Sequence, residues 1–350
     1  MKTVFVGLSG GVDSAVSAAL LKGQSYNVIG AFIKIWRPEF TECPWREDRI
    51  SAMRVAAALN IPFRELDLSD EYKHSVIDET IGGYMSGITP NPDILCNKHI
   101  KFGRFLQWAR AQGADYIATG HYARIENVDR EYRLLRGLDA NKDQSYFLSQ
   151  LGQQELSHTL FPIGSLTKPQ VRAQAEGLGL PNAKRPDSQG LCFVGDVSMD
   201  EFLSRLISVE PGVLRNRRGR VVGTHKGAAL YTKGQRHGLT NTDENSAPHY
   251  VVDVNTKKNE VIVSTNKGDA AKLEFEIEKM HWIVDKHPST PFKCLGQVRH
   301  HSRAYPCKIS FNGNATSVRF EESLIAAPGQ SIVLYDDACV LGGGVINSTN

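Results

Sequence analysis

Residues 4–21 read VFVGLSGGVDSAVSAALL. An apolar run reaches Leu8, breaks at Ser9-Gly10-Gly11-Val12-Asp13-Ser14, and small apolar residues then resume. The pattern predicts a strand over 2–8, a tight turn, and a helix over 14–22. Such a turn presents backbone N–H groups at a helix N-terminus, which is a natural anion site. Adjacent glycines allow positive φ and close approach of the backbone to a ligand. Ser9 and Ser14 add hydroxyl donors. Asp13 is wrong for a bare phosphate but suits one that carries Mg²⁺, which makes it a candidate metal ligand. The lysine of a Walker A loop, which serves the β- and γ-phosphates, is absent here and elsewhere in the chain. A loop without it suits an enzyme that cleaves ATP between the α- and β-phosphates and releases pyrophosphate. The plain alternative is a turn whose glycines serve packing alone. The full S-G-G-V-D-S between strand and helix outweighs it.

Outward from this stretch the first half alternates strand and helix. Strands are expected over 27–35, 63–68 and 115–121, and helices over 46–59, 70–84 and 98–112. Near-continuous apolar strands between helices predict an α/β fold, a doubly wound parallel sheet whose ligands sit at the carboxyl ends of the strands. Residues 122–138 read as a strand pair, and 144–150, 167–178 and 199–207 as helical. Thr167 is a predicted N-cap, with Pro169 in the first turn and Gln170 at the capping-box position. After Pro211-Gly212 short β-rich runs dominate. They predict a small central β-rich domain over 209–271 and a C-terminal β-barrel over 272–350, after a catalytic domain over 1–208.

The 350 residues carry 23% charged and 41% hydrophobic side chains and a net charge of +3, which is ordinary for a globular protein. The balance permits a nucleic-acid partner without arguing for one. No apolar stretch is long enough to span a membrane, and no targeting segment is visible, so a cytoplasmic location with no membrane partner is expected.

None of the six cysteines forms a CxxC pair, so no zinc ribbon is signalled. Cys43, Cys294, Cys307 and Cys339 read as small hydrophobes. Cys96 lies in TPNPDILCNKHIKFG (89–103) and is expected just before a helix that opens at Lys98, near Lys98, His99 and Lys101. Cys192 lies in KRPDSQGLCFVG (184–195), after Lys184 and Arg185. Cations and a helix N-terminus lower a thiol's pKa, so these two are the candidate reactive cysteines.

Ser9–Ser14 is similar to the PP-loop of the ATP pyrophosphatases. These include GMP, NAD and argininosuccinate synthetases and several tRNA-modifying enzymes, which activate a carbonyl-type oxygen as an adenylate. TPNPDILCN, ADYIATGHYAR (114–124), GLDANKDQSYFLSQL (137–151), FPIGSLTKPQVR (161–172), DSQGLCFVG (187–195), HKGAALYTKGQRHGL (225–239), YVVDV and CVLGGGVI follow in order. Together they resemble the tRNA-specific 2-thiouridylases over nearly the whole chain.

The resemblance implies ATP contacts from Gly7, Leu8, Ser9, Gly10, Gly11, Val12, Asp13, Ser14, Ile33 and Gly120. It implies a persulfide on Cys192, attack by Cys96 to release the sulfur, and a Cys96–Cys192 disulfide left for reduction. Asn91, Pro92 and Asp93 would meet the target base, with Asp93 a candidate general acid/base. Lys142, Asp143, Gln144, Arg299 and His300 would contact tRNA. Further cations in glycine-rich loops, from Arg215 to Arg236 and at Arg303, suit phosphate contact or plain solubility. The implied partners are the anticodon stem-loop, with uridine 34 splayed out of its stack, and a sulfur-donor protein such as a cysteine desulfurase or relay protein. ATP and Mg²⁺ are the implied cofactors. An iron–sulfur cluster on Asp93, Cys96 and Cys192 is a less favoured cofactor reading.

The chain departs from the family at Ile33-Lys34-Ile35-Trp36, where Met-Lys-Asn-Trp is usual, and at His300-His301, where Tyr-Arg is common. Two rival functions are an AMP-forming ligase or amidotransferase acting on a small molecule, and a non-catalytic RNA-binding protein. The first needs no cysteine pair, and the second needs neither the pair nor the Ser9–Ser14 loop.

Overall fold

A computed structural model describes all residues except 39, 41–44, 188–197, 242–246, 285–288, 290, 313–314 and 348–350. Cys43 and Cys192 lie outside the described residues.

Seven strands form in the first half: β1 Thr3–Gly7, β2 Asn27–Lys34, β3 Phe63–Asp67, β4 Tyr116–Ala118, β5 Ala123–Val128, β6 Glu131–Arg136 and β7 Thr159–Leu160. Five of them make one parallel sheet in the order β3-β2-β1-β4-β7. Side chains alternate across β1, and both of its faces are covered. Val4 and Val6 pack against α1 (Val12–Gly23), α2 (Trp45–Ala58) and Lys168–Gly177, whereas Phe5 joins the opposite core with Tyr72, Ile100 and Phe105. Burial on two faces is what a doubly wound sheet requires. Each such fully buried side chain contributes about 1.5–3 kcal/mol. Strand order reverses across β1 and β4, so the crevice for a ligand opens beyond the carboxyl ends of those two strands.

The central sheet holds Gly212–Asn216, Val221–His225, Thr240–Asn241, Tyr250–Asn255 and Glu260–Ser264. The last six strands, Lys272–Trp282, Phe292–Gln297, Tyr305–Asn312, Ala315–Leu324, Ser331–Asp336 and Cys339–Ile346, close into a barrel. The first of them pairs with the last, Ile277 opposite Ile346.

Hairpin β5–β6 forms within the expected strand pair 122–138, and it also pairs with the barrel's last strand, Leu135 opposite Cys339. Expected helix 144–150 shrinks to a 3₁₀ turn, Ser145–Leu148, because this segment docks on the barrel. Tyr146 Oη donates to Ser331 O (2.8 Å) and Gln150 Nε2 to Gly343 O (2.8 Å).

Candidate active site

The Ser9–Ser14 loop sits at the strand-reversal crevice. Gly10 has φ +81°, which a residue without a Cβ adopts freely. A Cβ there would also lie 2.5 Å from Asp48 O. The Gly10 carbonyl is held from behind by Ser51 Oγ (2.8 Å), Asn182 Nδ2 (2.9 Å) and Arg185 Nη1 (3.2 Å). The C=O and N–H of a trans peptide point in opposite directions, so the Gly11 N–H faces away from these donors. Its one contact is long, 3.4 Å to Ser9 Oγ. Gly11 is the N-cap of α1 and provides no side-chain cap, which leaves the helix's first N–H groups for an anion. Ile33 lies two residues past the β1–β2 pairing of Gly7 with Ala31, at the same edge of the sheet.

Gly120 follows β4 and closes the other side of the crevice. A Cβ at this position would lie 2.7 Å from Ser14 N and 2.8 Å from Asp13 C, both backbone atoms. Gly120→Ala must therefore push the loop aside. We expect it to cut ATP-dependent pyrophosphate release at least tenfold while the thermal transition moves little, as measured by a pyrophosphate assay and calorimetry. The next residue, His121, is buried, with its ring edge-on to Phe161 and tilted against Phe102. Lys101 Nζ can only donate, at 3.4 Å from His121 Nε2, so His121 Nδ1 carries the proton and donates to Thr119 Oγ1 (2.7 Å). Burial and then Lys101 hold His121 well below its ordinary value, so it is neutral at pH 7.

The loop has no lysine in sequence but gains one in space. Lys168, the first residue of Lys168–Gly177, places Nζ 2.7 Å from Asp13 Oδ1, with 12% of its side chain exposed. Tyr122 Oη donates to the same oxygen (2.9 Å). Lys168 also meets Asp187 Oδ1 (2.8 Å), and Asp187 receives Lys142 (2.8 Å) and Arg172 (2.7 Å) as well. Burial alone would raise the Asp187 carboxyl, but Lys142 and Lys168 outweigh it and hold it down to about 2. Asp187 immediately precedes the segment with Cys192. The sequence reading missed Lys168, Arg172 and Asp187. One signal was available: a lysine in the first turn of a helix opposes the macrodipole and calls for an anionic partner. The cap that places it is as expected, with Gln170 Oε1 accepting from Thr167 N (2.8 Å) and Thr167 Oγ1 from Gln170 N (3.5 Å).

The second part of the site is a cavity of about 260 Å³. Tyr84, Asn91, Pro92, Asp93 and Tyr146 line it from one side, and Arg299, His300 and Gln330 of the barrel from the other. Residues some 200 positions apart in sequence thus meet around one cavity. His300 Nε2 donates to Asp143 O (2.9 Å), with its ring 4.2 Å from that of Phe147. Arg299 Nη2 donates to Lys233 O of the central sheet region (3.3 Å), while Arg299 Nε is buried without a partner. Among the other tRNA candidates, Asp143 and Gln144 spend their side chains on the fold. The Asp143 carboxylate accepts from Arg136, from Gly137 N, and from the Ser145 backbone and hydroxyl. Gln144 Oε1 accepts from Tyr122 N (3.0 Å).

Cys96 is placed differently from its expected position. The helical run begins at Pro92, not Lys98, and Cys96 falls in its second turn, at the start of the π-helical stretch Cys96–Arg104. Asn91 sets this start, its Oδ1 accepting from Asp93 N (3.1 Å) and Ile94 N (3.2 Å) with Pro92 at the first position. Cys96 is 0% exposed, one turn beyond Asp93. Among the described residues, no three His, Cys, Asp or Glu side chains gather as a metal site.

A parallel sheet with a glycine-rich, lysine-free loop at its reversal point, followed by two β domains, defines an enzyme of the PP-loop, ATP-using class. Residues 2–196 match the family model described as the tRNA methyl transferase HUP domain. Residues 200–265 match its PRC-barrel domain, and 272–346 the aminomethyltransferase β-barrel domain. The tRNA-specific 2-thiouridylase MnmA of Bacillus cytotoxicus is 42% identical, covering 98% of this chain and 94% of its own. That of Nitrosococcus oceani is 43% identical, over 99% and 97%. The chain belongs to the tRNA-specific 2-thiouridylase family. A U34-tRNA thiolase from Methanococcus maripaludis aligns over 55% of this chain and 61% of its own, at 18% identity and a TM-score of 0.37, too slight a likeness to argue from. No helix among the described residues is long and apolar enough to cross a membrane.

Proposed function

We propose that this chain replaces the C2 oxygen of the wobble uridine, U34, of tRNA with sulfur at the expense of ATP. The observation that carries this reading is the convergence of Asn91–Asp93 and Arg299–His300 on one cavity, in a chain whose sheet carries the Ser9–Ser14 loop. The family model's name speaks of methyl transfer and the relatives' name of thiolation. A methyl donor carries no polyphosphate, so the loop would have no task in methyl transfer. The domain limits that go with this reading are 1–208, 209–271 and 272–350.

Backbone N–H groups of Gly10–Ser14 receive the phosphates, with Gly120 and Ile33 beside the nucleotide. Lys168 supplies the cation that the loop lacks. The Asp13 carboxylate fits Mg²⁺, which is commonly held by one carboxylate and substrate phosphates, and the ion would neutralise phosphate charge there. The uracil C2 oxygen attacks the α-phosphate, and pyrophosphate leaves. That adenylation turns the poor leaving group at C2 into a good one, so the terminal sulfur of a Cys192 persulfide then attacks C2 and AMP departs. The Cys96 thiolate attacks Cys192 Sγ, so the new sulfur stays on the base and a Cys96–Cys192 disulfide remains. Asp93 moves the proton at the base. A partner protein delivers the sulfur, and a cytoplasmic setting fits the tRNA substrate.

The test is a thiolation assay with ATP, a persulfide donor (a cysteine desulfurase with free cysteine) and unmodified tRNA, read by retardation on a mercury-containing gel. The retarded band should require ATP, and its absence with every component present overturns the reading. Phosphate contacts also predict that tRNA affinity falls steeply, by at least tenfold between about 50 and 200 mM salt. A flat response in filter binding would remove the phosphate role of the exposed cations.

A further inference from the structure

We propose that Arg299 reads the O4 edge of the target base and so selects uridine over cytidine, rather than gripping an RNA phosphate. This rests on the cavity being the uridine pocket, as proposed above. The cavity is small, just below the usual range for small-molecule sites, and so suits a single base with its backbone outside. Arg299 is part of its wall. Phosphate-gripping arginines work from the open surface. Here the guanidinium is half-buried, and its one hydrogen bond is long, 3.3 Å to Lys233 O. Arg299 Nε is buried with no partner, so the group is under-satisfied before a base arrives.

The reaction itself fixes which edge of the base the wall can meet. The C2 oxygen must face the nucleotide, which leaves N3 and the 4-position for the cavity. Uracil presents an acceptor, O4, at the 4-position, and cytosine presents an amino donor. A guanidinium has five N–H donors and no acceptor, so it rewards the first and leaves the second unpaired. A site built to bond one partner rejects its analogue through that unpaired polar group. His300, bonded to Asp143 O and packed at a tilt against Phe147, anchors the loop that carries Arg299.

Anticodon stem-loop RNAs carrying uridine or cytidine at the wobble position, bound to the full chain and followed by fluorescence anisotropy, separate the two roles. The wild-type chain should prefer the uridine RNA by about tenfold or more, the order of one charge-assisted hydrogen bond. Arg299→Met should cost about tenfold with uridine and under about twofold with cytidine, which abolishes the preference. Arg299→Lys should keep only part of it, because the fork geometry is lost. Equal losses with both RNAs, together with a shallower salt dependence, would assign Arg299 to a phosphate and overturn the proposal. Equal binding of both RNAs by the wild-type chain overturns it without any variant. Binding of neither RNA would instead sink the functional reading, and this inference with it.

Discussion

Cys96→Ser and Cys192→Ser are each expected to bring tRNA thiolation to background while tRNA affinity stays within about twofold. A serine hydroxyl can neither carry a persulfide nor attack one near neutral pH, so both substitutions remove a sulfur bond that the sequence of steps requires. In the proposed sequence of steps, activation of the uracil oxygen uses neither thiol. Both variants should still release one burst of pyrophosphate and then stall. The mercury-gel assay and a pyrophosphate assay on the same samples check the pair of outcomes. Full thiolation by either variant would remove that cysteine from the mechanism. The burial of Cys96 adds a condition. At 0% exposure the thiol is closed to reagents until its surroundings part. Peptide-mapped alkylation of Cys96 should accordingly be slow in the resting protein and faster with ATP and tRNA bound.

Lys168→Met is expected to slow ATP-dependent pyrophosphate release by about 10²–10³-fold, the scale on which one preorganised charged donor acts on developing charge. Lys168 stands 2.7 Å from the Asp13 carboxylate of the loop, so its ammonium is within reach of the phosphates that the loop would hold. The alternative role is a purely structural tie between Asp13 and Asp187. The two roles part on Asp187→Asn, which cuts the tie but leaves Lys168 beside the loop. A tie alone makes Asp187→Asn as harmful as Lys168→Met. A phosphate cation makes Asp187→Asn much milder, and Lys168→Arg partly restores the rate. Thermal melts of all three variants keep stability separate from catalysis. Release by Lys168→Met within about threefold of wild type would leave the loop's missing cation unexplained.

Much of the fold was legible because its signals are local. Period-2 and period-3.6 apolar patterns mark β1, α1 and β2, and a strand–glycine turn–helix can be read within eighteen residues. The Thr167–Gln170 cap was legible for the same reason. The start of the Cys96 helix was misplaced because Asn91-Pro92 reads equally as a turn or as a helix cap with proline at the first position. The side chain of Asn91, folded back onto two N–H groups, decides it. The pairing of hairpin β5–β6 with the barrel was not legible, because its partner strand lies some 200 residues away in sequence.

For this protein, the sequence by itself determined the class of chemistry. Ser9–Ser14 names a phosphate-binding turn, and the order of motifs along the chain names the family. Only the tertiary structure decided which charges stand beside the loop and the cavity. Lys168 comes to lie 2.7 Å from Asp13 of the lysine-free loop, and Arg299 lines the same cavity as Asn91–Asp93. The physical reason is one of range. Backbone turns and amphipathic periods are set by neighbours along the chain. An ion pair or a cavity wall is set by distances of a few ångströms between segments that only packing brings together.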